Sequence, residues 1–228
     1  MAPSCLILPP ATPSDLISQI VSNYRYPSTL LIGTSRELFL QSLDLELDSN
    51  ARLQHQDVAG EDQGHDTSTV TADSQLLRPT LMQIAVSRHI RTVFIPTVVH
   101  LRAYLAAFSQ EGSGVLAPPN HRPAAPDKPP VLLMYGFLEL HRATSEWSAQ
   151  GLGNSASALV EAAARNGFRA VVIDPLGGGG YDTLEEMMSE KVPMLDGALI
   201  KNDGSWSGRT VDIGRVLGRW FKPLPPTE

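Results

Sequence analysis

Thr29-Leu30-Leu31-Ile32-Gly33-Thr34-Ser35-Arg36-Glu37 is the stretch on which the fold reading turns. An apolar run ends in Gly, passes through small polar residues, and enters the amphipathic run Leu38, Phe39, Leu40, Ser42, Leu43. That pattern reads as strand, tight turn and helix, the opening of a nucleotide-binding α/β domain. A working phosphate-binding turn of this kind carries G-x-x-x-x-G-K-[ST]. Its backbone N–H groups cradle the phosphates, the Lys reaches the outer ones, and the hydroxyl holds Mg²⁺. Here Leu38 stands in place of the second Gly, Phe39 in place of the Lys, and Leu40 in place of the hydroxyl. The frame is kept and its chemistry is missing, so the expectation is a chain with no cofactor and no catalytic residue that serves as an interaction surface.

The 228 residues suit one domain spanning 1–228, long enough for a sizeable core. No stretch of eighteen apolar residues occurs, so no membrane span is expected. Pro9-Pro10 cuts short the apolar run Cys5-Leu6-Ile7-Leu8, and no positive segment precedes it, which argues against a secretory signal. Cys5 is the single cysteine, which excludes an intramolecular disulfide and a thiolate zinc cluster and agrees with a nuclear or cytoplasmic location. The formal charge of −6 is concentrated: residues 44–75 hold eight carboxylates against Arg52, a net −7, leaving +1 elsewhere. The overall pI of 5.5 therefore argues neither for nor against a nucleic-acid partner.

Working outward, a short helix over Leu16 to Val21 precedes the first strand, and a helix over Arg36 to Leu43 follows it. Residues 44–75 turn to Asp, Gln, Gly, Ser and His and read as an acidic mobile loop, since few apolar groups offset the entropy of ordering them. Helical spacing at Pro79 to Arg88 leads to a strand at Thr92 to Pro96 and a helix at Val98 to Phe108. Residues 110–130 contain six prolines and read as a Pro-rich loop. The second half predicts a strand at Val131 to Tyr135, a helix at Ser155 to Asn166, a strand at Phe168 to Asp174 and a helix at Thr183 to Ser189. In Trp206 to Phe221, interrupted by Gly214 and Gly218, a terminal antiparallel strand pair is expected, with Trp220, Val211, Ile213 and Val216 in the core. Strands alternating with helices give an α/β class: a mostly parallel sheet flanked by helices.

In this order the elements resemble the core of RecA-like ATPase domains. Val131-Leu132-Leu133-Met134-Tyr135 stands where those domains have four apolar residues and a metal-holding Asp, with Tyr135 in the acid's place. Ser145 to Leu152 resembles the loop and helix that follow that strand in recombinase paralogues. Catalytically silent members of Shu-complex type and the RecA-like subunits of Elongator are the similar groups. The resemblance implies a pseudo-ATPase that assembles with a RecA-like partner and supports homologous-recombination repair, or a subunit of a tRNA-modifying assembly.

The basic residues Arg209, Arg215, Arg219 and Lys222 lie among Trp206, Trp220 and Phe221, a mixture suited to single-stranded DNA or a protein partner, and equally to a solvated face over a packed core. Arg88, His89, Arg91, His100 and Arg102 form a second mixed-basic set open to the same two readings. Gly177-Gly178-Gly179-Gly180 offers a rival: a glycine turn after a strand that brings N–H groups to a phosphorylated ligand, as in a small-molecule enzyme. Asp174 at the end of that strand suits either a metal or ribose, or a cap for the loop that follows it. The six histidines show no H-x-x-x-H spacing, so no metal site is expected.

Overall fold

A computed structural model describes residues 4–23, 26–57, 80–109, 115–119, 130–195 and 208–224. Six strands form one parallel sheet: β1 (Leu6–Ile7), β2 (Ser28–Ile32), β3 (Ile90–Phe94), β4 (Val131–Tyr135), β5 (Arg169–Ile173) and β8 (Lys222–Pro223). Their spatial order is β3-β2-β4-β5-β1-β8. Separately, β6 (Lys191–Pro193) and β7 (Thr210–Asp212) pair antiparallel. The helices are α1 (Pro13–Asn23), α2 (Arg36–Asp57), α3 (Leu81–Ser87), α4 (Val98–Ala107), α5 (Phe137–Arg142), α6 (Ala149–Arg165), α7 (Leu184–Ser189) and α8 (Ile213–Leu217). The α/β class with a helix-flanked parallel sheet is as expected.

The central strands are apolar throughout because both faces are covered. Strand alternation divides them. Leu31, Leu132, Met134, Ala170 and Val172 join Leu101, Leu105, Leu152, Leu159 and Phe168 in the larger core, which also takes in Ile213, Leu217 and Phe221. Leu30, Ile32, Leu133, Tyr135, Val171 and Ile173 face Leu16 and Ile20 of α1 and Phe39 of α2. Local sequence fixes several helix starts. Thr80 with Gln83 and Thr183 with Glu186 are capping boxes, and the Thr97 and Ser148 hydroxyls accept the N–H groups of His100 and Gly151.

Four expectations change. First, α2 does not stop at Leu43 but continues through Asp57, so residues 44–57 are helix rather than loop; residues 58–75 lie outside the described residues. Glu46 accepts from the Ser14 backbone N–H and hydroxyl, so this carboxylate caps α1 instead of belonging to a solvated acidic tract. Of the Pro-rich stretch, 115–119 contains no helix or strand, and 110–114 and 120–129 lie outside the described residues. Second, Leu6–Ile7 forms a strand inserted between β5 and β8, pairing with Val171–Val172 on one side and Lys222–Pro223 on the other. Third, the antiparallel pair is not contained in Trp206 to Phe221. Its first strand comes from Lys191–Pro193, and the chain after Asp212 turns into α8 and returns to the parallel sheet as β8. Fourth, Trp220 is 37% exposed, whereas Phe221, expected only as a neighbour, is 2% exposed. Ile213 and Val216 are buried as expected, and Val211 is half-buried. The chain leaves α8 through a turn in which the N–H groups of both Trp220 and Phe221 bond to the Leu217 carbonyl, and this aims Phe221 inward.

This exchange of roles is measurable by denaturant unfolding. Phe221→Ala is expected to cost about 3–5 kcal/mol, as for a buried aromatic, while Trp220→Ala costs about 1 kcal/mol or less. Equal costs would put Trp220 back in the core.

Candidate functional site

In open α/β sheets ligands bind outside the carboxyl ends of the strands, where successive connections leave in opposite directions. Here the chain leaves β2 toward β3 and leaves β4 the other way, toward β5, so the crevice between β2 and β4 is that place. It is the junction of Gly33 and Gly136. The Gly33 N–H donates to the Tyr135 carbonyl at 2.8 Å, and the Gly136 N–H donates to the Ile173 carbonyl at 2.8 Å. A Cβ on Gly33 would stand 2.6 Å from the Gly136 carbonyl oxygen, too close for any other residue, so backbone fills the crevice. Gly136 itself has φ +78° at the start of α5.

Several amides along this edge are bonded within the protein. Ser35 accepts from Leu38 N–H through its hydroxyl and from Phe39 N–H through its carbonyl. At the start of α5, the Leu138 and Glu139 N–H groups donate to Asp174 Oδ1 at 2.8 and 3.4 Å. Asp174 is fully buried at the end of β5, and its Oδ1 accepts the amides that open this helix. It is therefore a cap, but of α5 and not of the loop that follows it in sequence. Burial pushes its carboxyl up to about 7, opposed by the two amides and Arg142 and aided by Glu139. Tyr135, in the acid's place on β4, is buried and donates to the Ala11 carbonyl at 3.0 Å. Its ring meets Phe39 edge-on, so Phe39 and Tyr135 close the space above the strands together.

The glycine turn is closed in a similar way. Gly177 N–H bonds the Tyr181 carbonyl and Gly180 N–H bonds the Gly177 carbonyl. Gly179, at φ +70°, lies against the Arg142 guanidinium, which a Cβ would overlap. Arg142 is held by Glu190 in a two-pronged pair at 2.6 and 2.7 Å, and stands 4.4 Å from the Trp147 ring and 5.7 Å from that of Tyr181. An internal cation thus occupies the space beneath the turn.

Sequence spacing missed a polar network beneath α6. His141, fully buried, donates from Nδ1 to the Phe137 carbonyl at 2.7 Å, and its Nε2 accepts from the Ser155 hydroxyl at 2.8 Å. The Phe137 carbonyl sets this tautomer. Arg102 Nε donates to the same Ser155 oxygen, and its Nη2 bonds Gly151 and Glu146. Burial drives the His141 imidazole down to about 4. This places a serine beside a histidine, but both are fully buried and the serine oxygen also takes a guanidinium proton, so the contact is structural. Arg102 thereby leaves the second basic set, Arg91 lies 5.5 Å over the Tyr104 ring, and His89 bonds the Leu116 carbonyl. A cavity of about 10 Å³ lined by Tyr26, Ser28, His89, Arg91 and Phe168 lies at the amino ends of the strands, away from the crevice. It has room for at most one water.

Arg209, Arg215, Arg219 and Lys222 are all exposed, and none forms an ion pair with another described residue. They belong to β7's approach, α8, the turn after it, and edge strand β8, so the tail brings the last three to one end of the sheet with Trp220 among them. No described group of histidines, cysteines and carboxylates is placed to hold a metal, and no described helix is long and apolar enough to cross a membrane. Comparison with protein-family models, curated sequences and solved structures returned no match.

The two shifted buried groups act on stability with opposite sign. Asp174 titrates higher folded than unfolded, so its contribution is full below about pH 4 and falls as pH rises toward 7. His141 titrates lower when folded, so its contribution is present above about 6.5 and is lost as pH falls toward 4. Relative to the natural chain, Asp174→Asn is expected to gain stability between pH 4 and 7 and His141→Gln to lose it, read from urea midpoints across that range. Parallel profiles for all three proteins would contradict these environments.

Proposed function

We propose that this chain is a catalytically silent subunit of RecA-like type that assembles with RecA-like partners and supports DNA repair by homologous recombination. The observation that carries the silent part is the β2–β4 crevice, where Gly33 meets the Gly136 backbone and the amides of Gly33, Leu38, Leu138 and Glu139 are bonded to Tyr135, Ser35 and Asp174. A nucleotide there would have to displace backbone and compete with a buried carboxylate. The small-molecule enzyme reading loses ground for the same kind of reason, since Arg142 and Tyr181 pack beneath Gly179 and the Gly177 and Gly180 amides bond internally.

Trp220 supports a nucleic-acid contact. An exposed indole beside Arg215, Arg219 and Lys222 offers a face on which a base can stack while the cations meet phosphates. A protein partner would use the same residues as an aromatic anchor with a charged rim.

Two measurements test this reading. Purified protein is expected to show no ATP turnover, and turnover abolished by changes in the Thr34 to Glu37 turn would overturn the silent assignment. Arg215→Ala/Arg219→Ala/Lys222→Ala should keep the fold, because exposed charges contribute under about 1 kcal/mol each. It should also weaken binding to an oligothymidylate and flatten the salt dependence by roughly 0.7 for each phosphate no longer neutralised. Unchanged DNA affinity with loss of co-purifying partners would move the tail to protein recognition. Elongator subunits rather than recombination factors among those partners would replace the repair role with a tRNA-modifying one.

A further inference from the structure

Helix α2 is the least buried large element of the fold. Over its first fourteen residues, Arg36 to Ser49, Phe39 is the one buried side chain. Leu38 and Leu45, seven residues apart and so on one side of the helix, are 59% and 61% exposed. Leu40 is also exposed. Helix α3 behaves alike: it buries no side chain, and Leu81 and Met82 are 86% and 71% exposed. Both helices pack against α1, on the face of the sheet whose core is the smaller of the two. A seven-residue helix with nothing buried has little to hold it in water alone. Apolar side chains gathered in this way on a folded surface mark a contact site.

The charge around these leucines says what kind of contact. Between Arg36 and Ser49 the helix carries Glu37, Asp44, Glu46 and Asp48 against Arg36 alone. Glu46 is spent on Ser14, which leaves Glu37, Asp44 and Asp48 exposed beside Leu38 and Leu45. Helix α3 has no charged residue between Leu81 and Ser87. A partner must therefore bring apolar side chains to the leucines and positive charge to the carboxylates, which is the makeup of a basic amphipathic helix.

We propose that the exposed side of α2 bearing Leu38 and Leu45 is the docking face for a basic amphipathic helix of a partner protein. This deepens the subunit reading above, and it rests on that reading only in taking the chain to work through partners; it does not require the partner to be RecA-like. The face is separate from the Arg215, Arg219, Lys222 end of the sheet, because α2 follows β2 while those residues surround edge strand β8.

The test uses the full chain and two synthetic eighteen-residue helical peptides, one of Leu and Lys and one of Leu and Glu with the same leucine spacing. Fluorescence anisotropy is expected to show saturable binding of the Leu/Lys peptide, weakened by salt, and none of the Leu/Glu peptide. Leu38→Ser/Leu45→Ser should weaken it on the order of ten-fold, and Asp44→Asn/Asp48→Asn several-fold, with circular dichroism and urea midpoints near those of the natural chain. Because the replaced side chains are exposed, the variants should fold. Arg215→Ala/Arg219→Ala should bind the peptide as the natural chain does. Equal binding of both peptides, no binding, or binding indifferent to the α2 changes would overturn the proposal. So would concentration-dependent dimerisation that the leucine changes abolish, which would make a second copy of this chain the occupant. Absence of recombination partners with peptide binding intact would remove the repair role and leave this docking face standing.

Discussion

The hydrogen bonds from the Leu138 and Glu139 amides to Asp174 are the interaction on which the carboxyl edge of the sheet depends. A carboxylate at the end of β5 reaches across to the helix that follows β4, and so ties two neighbouring strands together above their last shared register pair, Tyr135 with Ile173. With α5 fixed at its start, Gly136 is held against Gly33, and the His141 side chain one turn on is held beneath α6. Arg142, next in sequence, is aimed at Glu190, and through that pair α5 is joined to the segment leading into β6. Helix α5 has six residues and would not persist alone. It is maintained by the Asp174 side chain at one end and an ion pair at the other.

The same contacts account for the missing chemistry. In a nucleotide-binding sheet the helix N-termini point at phosphate, and the dipole and the free amides provide the attraction. Here a protein carboxylate takes that position at α5 and a serine takes it at α2. The edge is therefore a packed surface with Tyr135, Phe39 and Phe94 above the strands. Replacing one residue would not restore a site, since the Lys, the hydroxyl and the space are all gone. Two outer surfaces differ in their chemistry: the chain around edge strand β8 carries exposed Arg215, Arg219, Trp220 and Lys222, and helix α2, on the face with the smaller core, carries exposed carboxylates with Leu38 and Leu45.

The core explains why those surfaces can be left so exposed. The large side of the sheet gathers Phe108, Phe137, Phe168 and Phe221 with the buried faces of α4, α6 and α8, and Phe108 meets Phe168 edge-on at 5.4 Å. The smaller side rests on Leu16, Ile20 and Phe39. An asymmetric core of this kind lets one layer of helices supply most of the hydrophobic stabilisation, which leaves α2 and α3 free to meet something else.

The sequence by itself determined the central strands. Val131 to Tyr135 and Leu30 to Ile32 are unbroken apolar runs, and such runs fit a sheet covered on both faces. The helices expected at Pro79 to Arg88, Val98 to Phe108 and Thr183 to Ser189 were legible from local spacing, and the structure adds the threonine caps that start them. Tertiary structure alone decided the rest. Leu6–Ile7 is too short to announce itself and becomes a strand only because β5 and β8 offer edges on both sides. Residues 44–57 of the acidic run read as loop from composition, yet they are helix, and Glu46 there meets the start of α1, thirty-two residues away. Trp220 and Phe221 are equally apolar neighbours, and only the turn after α8 chose which one faces the core. Asp174, His141 and Ser155 show no motif spacing, since their partners lie on other elements. Local preference and periodicity act over a few residues, whereas a long-range hydrogen bond or a buried charge acquires its meaning only when the chain brings its partner close.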